Sequence, residues 1–180
     1  MPAPSDTVAL PGAQLRRLRA ADGPALRTAV RESLEHLRPW MAWAVPGAAD
    51  GDDQLAFARA AEASWDAGTE HLYLLRTSAD GPVLGSFGLH RRVGPHAVEV
   101  GYWLHADASG RGHARAATRA LVAVGLDLPG VERVEVHVDT ANVRSSAVAR
   151  AAGLRLDRVV ERAPESPAQV GRVEIWVAQP

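Results

Sequence analysis

The stretch that constrains the fold most is Val98 to Leu126, VEVGYWLHADASGRGHARAATRALVAVGL. Its first residues alternate like a strand and a short polar loop follows. Gly110 and Gly112 turn the chain, and an Ala-rich helix begins with Ala114, Ala117, Leu121 and Val124 on one face. A helix start leaves its first backbone N–H groups unpaired and carries the positive end of the helix dipole. Glycines there let the backbone approach a bulky anion with no Cβ in the way. Arg111 and Arg115 add charge and fork-shaped donors suited to phosphate oxygens. The unit reads as an anion site where a strand meets a helix; the plainer alternative is an ordinary glycine turn. A dinucleotide-binding fingerprint fails, because Arg115 stands where its third glycine belongs and the unit follows an antiparallel meander.

The flanking sequence places this unit in an α/β chain. Leu15–Arg19 is a candidate first strand. Asp22 and Pro24 mark a helix start, and Leu26, Val30, Leu34 and Leu37 recur at helical spacing until Pro39. An aromatic loop from Leu37 to Trp43 follows. The acidic turn Asp50–Asp53 then caps a second helix through Leu55, Phe57, Ala61 and Trp65, stopped by Gly68. His71–Arg76, Pro82–Val93 and Ala97–His105, separated by turn clusters, predict an antiparallel meander. After the glycine-led helix, about Gly112–Leu126, come a strand (Val131–Thr140), a helix (Asn142–Ala152) and two more strands (Leu154–Arg162 and Val170–Ala178). A chain of 180 residues fits one such domain, over 14–180, with 1–13 as a loose Pro-rich lead-in. The lead-in has no basic stretch followed by an apolar one, so a cytoplasmic protein is expected. No apolar run approaches the ~20 residues of a membrane span.

Composition removes several chemistries. All 20 basic residues are Arg, so there is no lysine for a Walker-type phosphate loop, a Schiff base or a nucleophile. The absence of Cys removes disulfides, thiolate zinc sites and thiol nucleophiles. The seven His are scattered, with no H-E-x-x-H pairing, and no metal site is expected. A formal net charge of −1 gives no field to hold nucleic acid.

Four motifs, in order and at consistent spacing, resemble one family. SGRGHA at Ser109–Ala114 is similar to the Q/R-x-x-G-x-G/A acyl-CoA-binding motif of the GNAT acetyltransferases, with Ser109 in place of the first Gln or Arg. VEVGYWL resembles the fourth strand of the RimJ/RimL-type ribosomal-protein N-terminal acetyltransferases. Asn142-x-x-Ser145-x-x-Val148-x-x-x-x-Gly153-Leu154 resembles that group's N-x-x-S-x-x-V-x-x-x-x-G-F, and HLRPWMAWA (His36–Ala44) its HLRPW loop. The likeness runs from about residue 14 to the end.

The resemblance implies a GNAT fold: a mixed, mostly antiparallel sheet with flanking helices, whose fourth strand carries a bulge and splays from the fifth. It implies acetyl-CoA as co-substrate, with the pantetheine arm in the opening against backbone groups of Trp103 and Leu104. Those peptides could also polarise the thioester carbonyl and stabilise the developing oxyanion. The pyrophosphate would rest on the loop of Ser109, Gly110, Arg111, Gly112, His113, Ala114 and Arg115, with Asn142 and Ser145 beside the arm. The amine would attack directly, with no covalent enzyme intermediate.

Candidate catalytic residues follow from the same likeness. Glu99 lies where several relatives keep a catalytic carboxylate, on the face it shares by alternation with Gly101 and Trp103. Desolvation in a cleft would raise its pKa toward that of a useful base; the alternative is a solvent-facing strand residue. His90, His105 and Glu161 are fallback bases. Ala149 stands where many relatives have a tyrosine acid, which leaves Ser145 as donor to the departing thiolate; its alternative is a first-turn hydroxyl, as that of Asn142 is an N-cap. Trp40, Met41, Trp43 and His90 are expected to line the acceptor site, although core packing is the competing role for at least one Trp. The acceptor is expected to be a protein or peptide α-amino group. A small-molecule amine (an aminoglycoside, polyamine or amino acid) and a catalytically idle CoA-binding domain are the alternatives. A homodimer is left open.

Overall fold

The computed structural model describes residues 3–180. Its strands are β1 (Thr7–Leu10), β2 (Ala13–Arg17), β3 (Glu70–Arg76), β4 (Gly85–His90), β5 (Ala97–Leu104), β6 (Arg133–Asp139), β7 (Arg155–Glu161) and β8 (Arg172–Ala178). Its α-helices are α1 (Gly23–Leu37), α2 (Asp53–Asp66), α3 (His113–Leu126) and α4 (Val143–Ala151). The strands form one sheet in the order β1-β2-β3-β4-β5-β6-β8-β7. Every neighbouring pair is antiparallel except β5 and β6, which run parallel.

Alternation sorts the sheet's residues onto two faces. Tyr73, Leu75, Phe87, Leu89, Val98, Val100, Val134 and Val136 share one cluster with Ala117 and Leu121 of α3 and Ala149 of α4. Leu72 and Leu74 join Leu26 and Val30 of α1 and Ala58 and Ala61 of α2 on the other. The periodic apolar residues of α1 and α3 are therefore the ones that seat each helix on the sheet.

The parallel pair is short. Ala97–Glu99 align with Arg133–Glu135 and no further, although β5 continues to Leu104 and β6 to Asp139. This is the expected opening between the fourth and fifth strands of the meander count. The expected bulge is not its cause: β4 and β5 stay in unbroken register from Gly85↔Leu104 to His90↔Glu99, so the gap arises where β6 diverges. A register shift occurs instead between β7 and β8, at Leu156/Arg158.

Two further expectations are corrected. Thr7–Leu10, inside the segment read as a loose lead-in, is a strand paired with β2 through the Gly12 turn. Val8 and Leu10 pack on the core there, and Ser5 accepts a hydrogen bond from the Tyr73 hydroxyl, so the backbone is satisfied and held. The strand read over Pro82–Val93 is trimmed to Gly85–His90; Pro82 has no N–H to give a ladder. Among the described residues no helix is long and apolar enough to cross a membrane.

Candidate active site

A cavity of about 720 Å³ opens where β5 and β6 part. Glu99, Gly101 and Trp103 of β5 and His137 and Asp139 of β6 line it, as do Ser86, Gly88 and His90 of β4. The loop between α1 and α2 contributes Trp40, Met41 and Trp43, and α2 contributes Asp53 and Gln54. Gln169 comes from the β7–β8 loop, which meets the aromatic loop through the Ala168 N–H donating to the Pro39 carbonyl at 3.0 Å. Trp43 and Trp103 meet edge to face, 6.2 Å between ring centres.

The α3 end of the opening is made of backbone. Gly112, at the N-cap, adopts φ +82°, Gly110 φ +76°, and no side chain caps the helix, which leaves its first amides free. A Cβ built on either glycine would meet nothing within 4 Å, so the space above the loop is open. Beyond Glu99, the β6-facing edge of β5 has no strand partner. Uncapped amides at a helix start, an open surface over them and a free strand edge fit a long ligand with an anionic phosphate end and an amide-bearing arm.

Asn142 caps α4, its side-chain oxygen accepting from the Ser145 N–H at 3.1 Å. The Ser145 hydroxyl lies 3.1 Å from the Tyr102 hydroxyl. Tyr102 stacks on Phe87, and burial raises its pKa, offset in part by the bond to Ser145. The phenol is thus neutral; when it donates to Ser145 Oγ, the serine's own hydrogen is free to point into the cavity.

Glu99 departs from expectation. Arg92 forks onto its carboxylate, Nε to Oε2 at 2.8 Å and Nη2 to Oε1 at 2.9 Å. Burial pushes the Glu99 pKa up, but the Arg92 bonds and charge, with His137 and His90 nearby, outweigh it and hold the carboxyl below its ordinary value. The raised pKa expected of a base in a cleft is overturned. His137 Nδ1 lies 4.0 Å from Glu99 Oε2 and accepts from Arg162 at 3.2 Å, while its Nε2 donates to the buried Glu135.

His90 sits beside Glu99, its cross-strand partner. Its Nδ1 lies 3.0 Å from Glu70 Oε1, and its ring lies over Gly88 and Gly101, themselves paired across β4 and β5. A Cβ on Gly88 would fall 2.6 Å from Nε2 and force the ring to move, and one on Gly101 would sit 3.3 Å from it, a tight contact.

The fold thus brings Trp40, Met41, Trp43, His90, Glu99, Trp103, Asn142 and Ser145 to one cavity, while Leu104 and Ser109, Gly110, Arg111, Gly112, His113, Ala114 and Arg115, in the loop and first turn of α3, lie outside its lining. His105 and Glu161 stand apart: His105 bonds Glu32, and Glu161 is exposed beside Arg172. Sequence reasoning missed Glu70, Arg92, Tyr102 and His137. For Tyr102 a signal existed, since alternation sets it opposite Glu99 on the α4 face. For Glu70 the signal is the β3–β4 register, which the sequence does not print. Among the described residues no group of three or more His, Asp or Glu is placed to hold a metal ion.

The acetyltransferase (GNAT) domain family model matches residues 13–155. No curated protein is matched by sequence. Among solved structures, RimL, a ribosomal L7/L12 alpha-N-protein acetyltransferase in complex with coenzyme A, superposes with a TM-score of 0.83 at 19% identity, over 96% of this chain and 97% of that one. The microcin C7 self-immunity acetyltransferase MccE, in complex with acetyl-CoA and AMP, gives 0.81 at 17% identity over 93% and 92%. RimJ of Mycobacterium smegmatis, in complex with CoA-disulfide, gives 0.79 at 21% identity over 96% and 85%. At these identities the superpositions speak for the fold.

Proposed function

The chain belongs to the GNAT acetyltransferase family and is an acetyl-CoA-dependent N-acetyltransferase, and on that footing we propose that its acceptor is the α-amino group of a protein or peptide. The observation that carries this reading is the cavity itself. Asn142 and Ser145 mark the side where the thioester would arrive; the cavity extends beside Trp40, Met41, Trp43 and Gln169, under two loops joined by the backbone bond between Pro39 and Ala168. The full-length likeness to RimL and RimJ supports the same acceptor.

Bound along β5, acetyl-CoA supplies a thioester carbonyl open to attack by an amine. The uncapped amides at Gly112–Arg115 bind its phosphates, and the free β5 edge at Trp103 and Leu104 orients its arm and offers N–H groups toward the carbonyl oxygen. Ser145, its hydroxyl 3.1 Å from that of Tyr102, is free to turn a hydrogen toward the place where sulfur gains charge when Tyr102 is the donor. Trp40, Met41 and Trp43 exclude water from the acceptor side. Glu99 is ionised and paired with Arg92, which fixes both side chains at the cavity wall.

A panel of short peptides with free α-amino groups, set against aminoglycosides, polyamines and amino acids, tests the reading through acetyl-CoA consumption and product mass. Peptides acetylated at the α-nitrogen are expected to be the best acceptors. Acetylation of small amines alone would overturn the acceptor class, and coenzyme binding with no transfer to any amine would indicate a non-catalytic domain.

A further inference from the structure

We propose that His90, held by Glu70, takes the proton from the acceptor's ammonium group, and that Glu99 does not. The inference rests on the amine-acetylating reading above and assigns the base within it. Three geometric facts carry it. First, the carboxylate of Glu99 is fully engaged, one oxygen to each donor of the Arg92 fork, so a proton added there would have to break a charge-assisted pair. Second, the His90–Glu70 bond at 3.0 Å fixes which imidazole nitrogen is free. With the proton on Nδ1 and shared with the carboxylate, the lone pair sits on Nε2. Nε2 has no partner among the described residues, and the side chain lines the cavity. Third, the ring packs over the paired glycines Gly88 and Gly101, and a side chain at Gly88 would occupy the space of Nε2.

The proton balance is simple. An N–H bond of the ammonium breaks, its proton forms a bond to Nε2, and the electron pair stays on the amine nitrogen for attack on the carbonyl. The imidazolium charge is met by Glu70, and the proton leaves to solvent at the mouth. The charged and titratable groups around the ring are Glu70 from β3, Glu99 from β5, Arg92 from the turn after β4 and His137 from β6. Glu70 acts as a positioning residue.

The test compares the full-length enzyme with His90→Gln, Glu70→Gln, Gly88→Ala and Glu99→Gln, each checked for folding by thermal melt and for acetyl-CoA affinity by calorimetry. The readout is kcat/KM against pH for two acceptors whose amine pKa values differ. His90→Gln is expected to lose about a hundredfold at a pH where the amine is charged, in the range of general-base contributions. That defect should shrink as the pH passes the acceptor's own pKa, because the amine then arrives deprotonated. Glu70→Gln should show the same convergence from a loss of about tenfold. Gly88→Ala displaces the ring while leaving the dyad's chemistry intact, and should approach the His90→Gln loss with unchanged acetyl-CoA affinity. A His90→Gln defect that is the same at every pH, a loss under threefold, or convergence appearing in Glu99→Gln instead would overturn the assignment. Failure of the parent reading looks different: the unaltered enzyme would then acetylate no amine.

Discussion

At the α3 end of the cleft the groups that face a ligand are backbone amides and an unpaired strand edge, whereas at the β3–β4 end they are side chains: Glu70, His90, Arg92 and Glu99. The first end is written in about six consecutive residues, and its chemistry survives most changes in the side chains beside it. The second is assembled from segments that meet only through strand register, and each member depends on its neighbours. Glu99 shows the dependence: the same burial that would make it basic is overridden by one arginine seven residues away. A backbone site tolerates sequence drift, and a side-chain site can be retuned by it.

The largest expected effect tests whether the α3 end really is backbone-built. Gly112→Asp places a Cβ and a carboxylate over the free amides, at a φ of +82° that a non-glycine residue adopts at a cost of about 1–3 kcal/mol. Acetyl-CoA affinity should fall at least tenfold, ~1.4 kcal/mol, measured calorimetrically. The fold should survive, since the added Cβ meets nothing within 4 Å. Acceptor KM at saturating acetyl-CoA should stay level. Unaltered coenzyme affinity in a folded variant would remove the phosphate role of this loop.

The side-chain end cannot be read by pH without knowing the fold's own acid limit, and His71 sets part of it. Buried against Trp65, this imidazole is pushed down to about 4, first by desolvation and then by Arg91 and Arg17. The unfolded chain restores the ordinary value of about 6.5. Between those values the unfolded state binds the extra proton. The stability tied to His71 is whole above pH 6.5 and drains away by up to ~1.4 kcal/mol per pH unit as pH drops toward 4. Urea unfolding at pH 7, 6 and 5 should therefore show a flatter pH slope in His71→Phe than in the parent. Parallel slopes would mean that His71 is not held neutral.

Ser145 stands where the two ends meet, capped by backbone geometry yet acting through a hydroxyl. Ser145→Ala should lower kcat about fivefold, ~1 kcal/mol, and leave acetyl-CoA affinity nearly unchanged, because the hydrogen matters most as charge develops on sulfur. Tyr102→Phe should reproduce part of that loss. If only the KM for acetyl-CoA rises, Ser145 binds the arm and does no more.

The same contrast explains what could be read before the structure was known. Val98–Leu126 declared its strand, glycine loop and helix because each uses a local rule: alternation, positive φ and a 3.6-residue period. The parting of β5 and β6 followed from family likeness, and its cause, a diverging β6, lay in pairing that no local pattern encodes. β1 is not legible in the sequence, because four residues between polar and Pro-rich neighbours carry too little periodicity, and only packing of Val8 and Leu10 makes them a strand. Alternation locates Glu99, but burial alone, the one influence a sequence suggests there, points its pKa the wrong way. Arg92 reaches back across a turn, and no spacing rule announces a fork.

The smallest expected effect sharpens the comparison most. Arg111 and Arg115 flank the glycine loop, are exposed, and make no ion pair among the described residues. If side chains bound the phosphates, Arg115→Ala would rival Gly112→Asp. If the amides do, the arginine contributes only as an exposed charge near an anion, worth about 0.2–1 kcal/mol and screened by salt. Arg115→Ala should then weaken acetyl-CoA binding no more than about fivefold at low ionic strength, and the difference from the parent should fade toward 0.5 M salt. The Gly112→Asp deficit, built into shape as well as charge, should keep a larger share of its size under the same salt. Equal salt sensitivity in both variants would show that the α3 end works by charge, and the division between a backbone end and a side-chain end would fail.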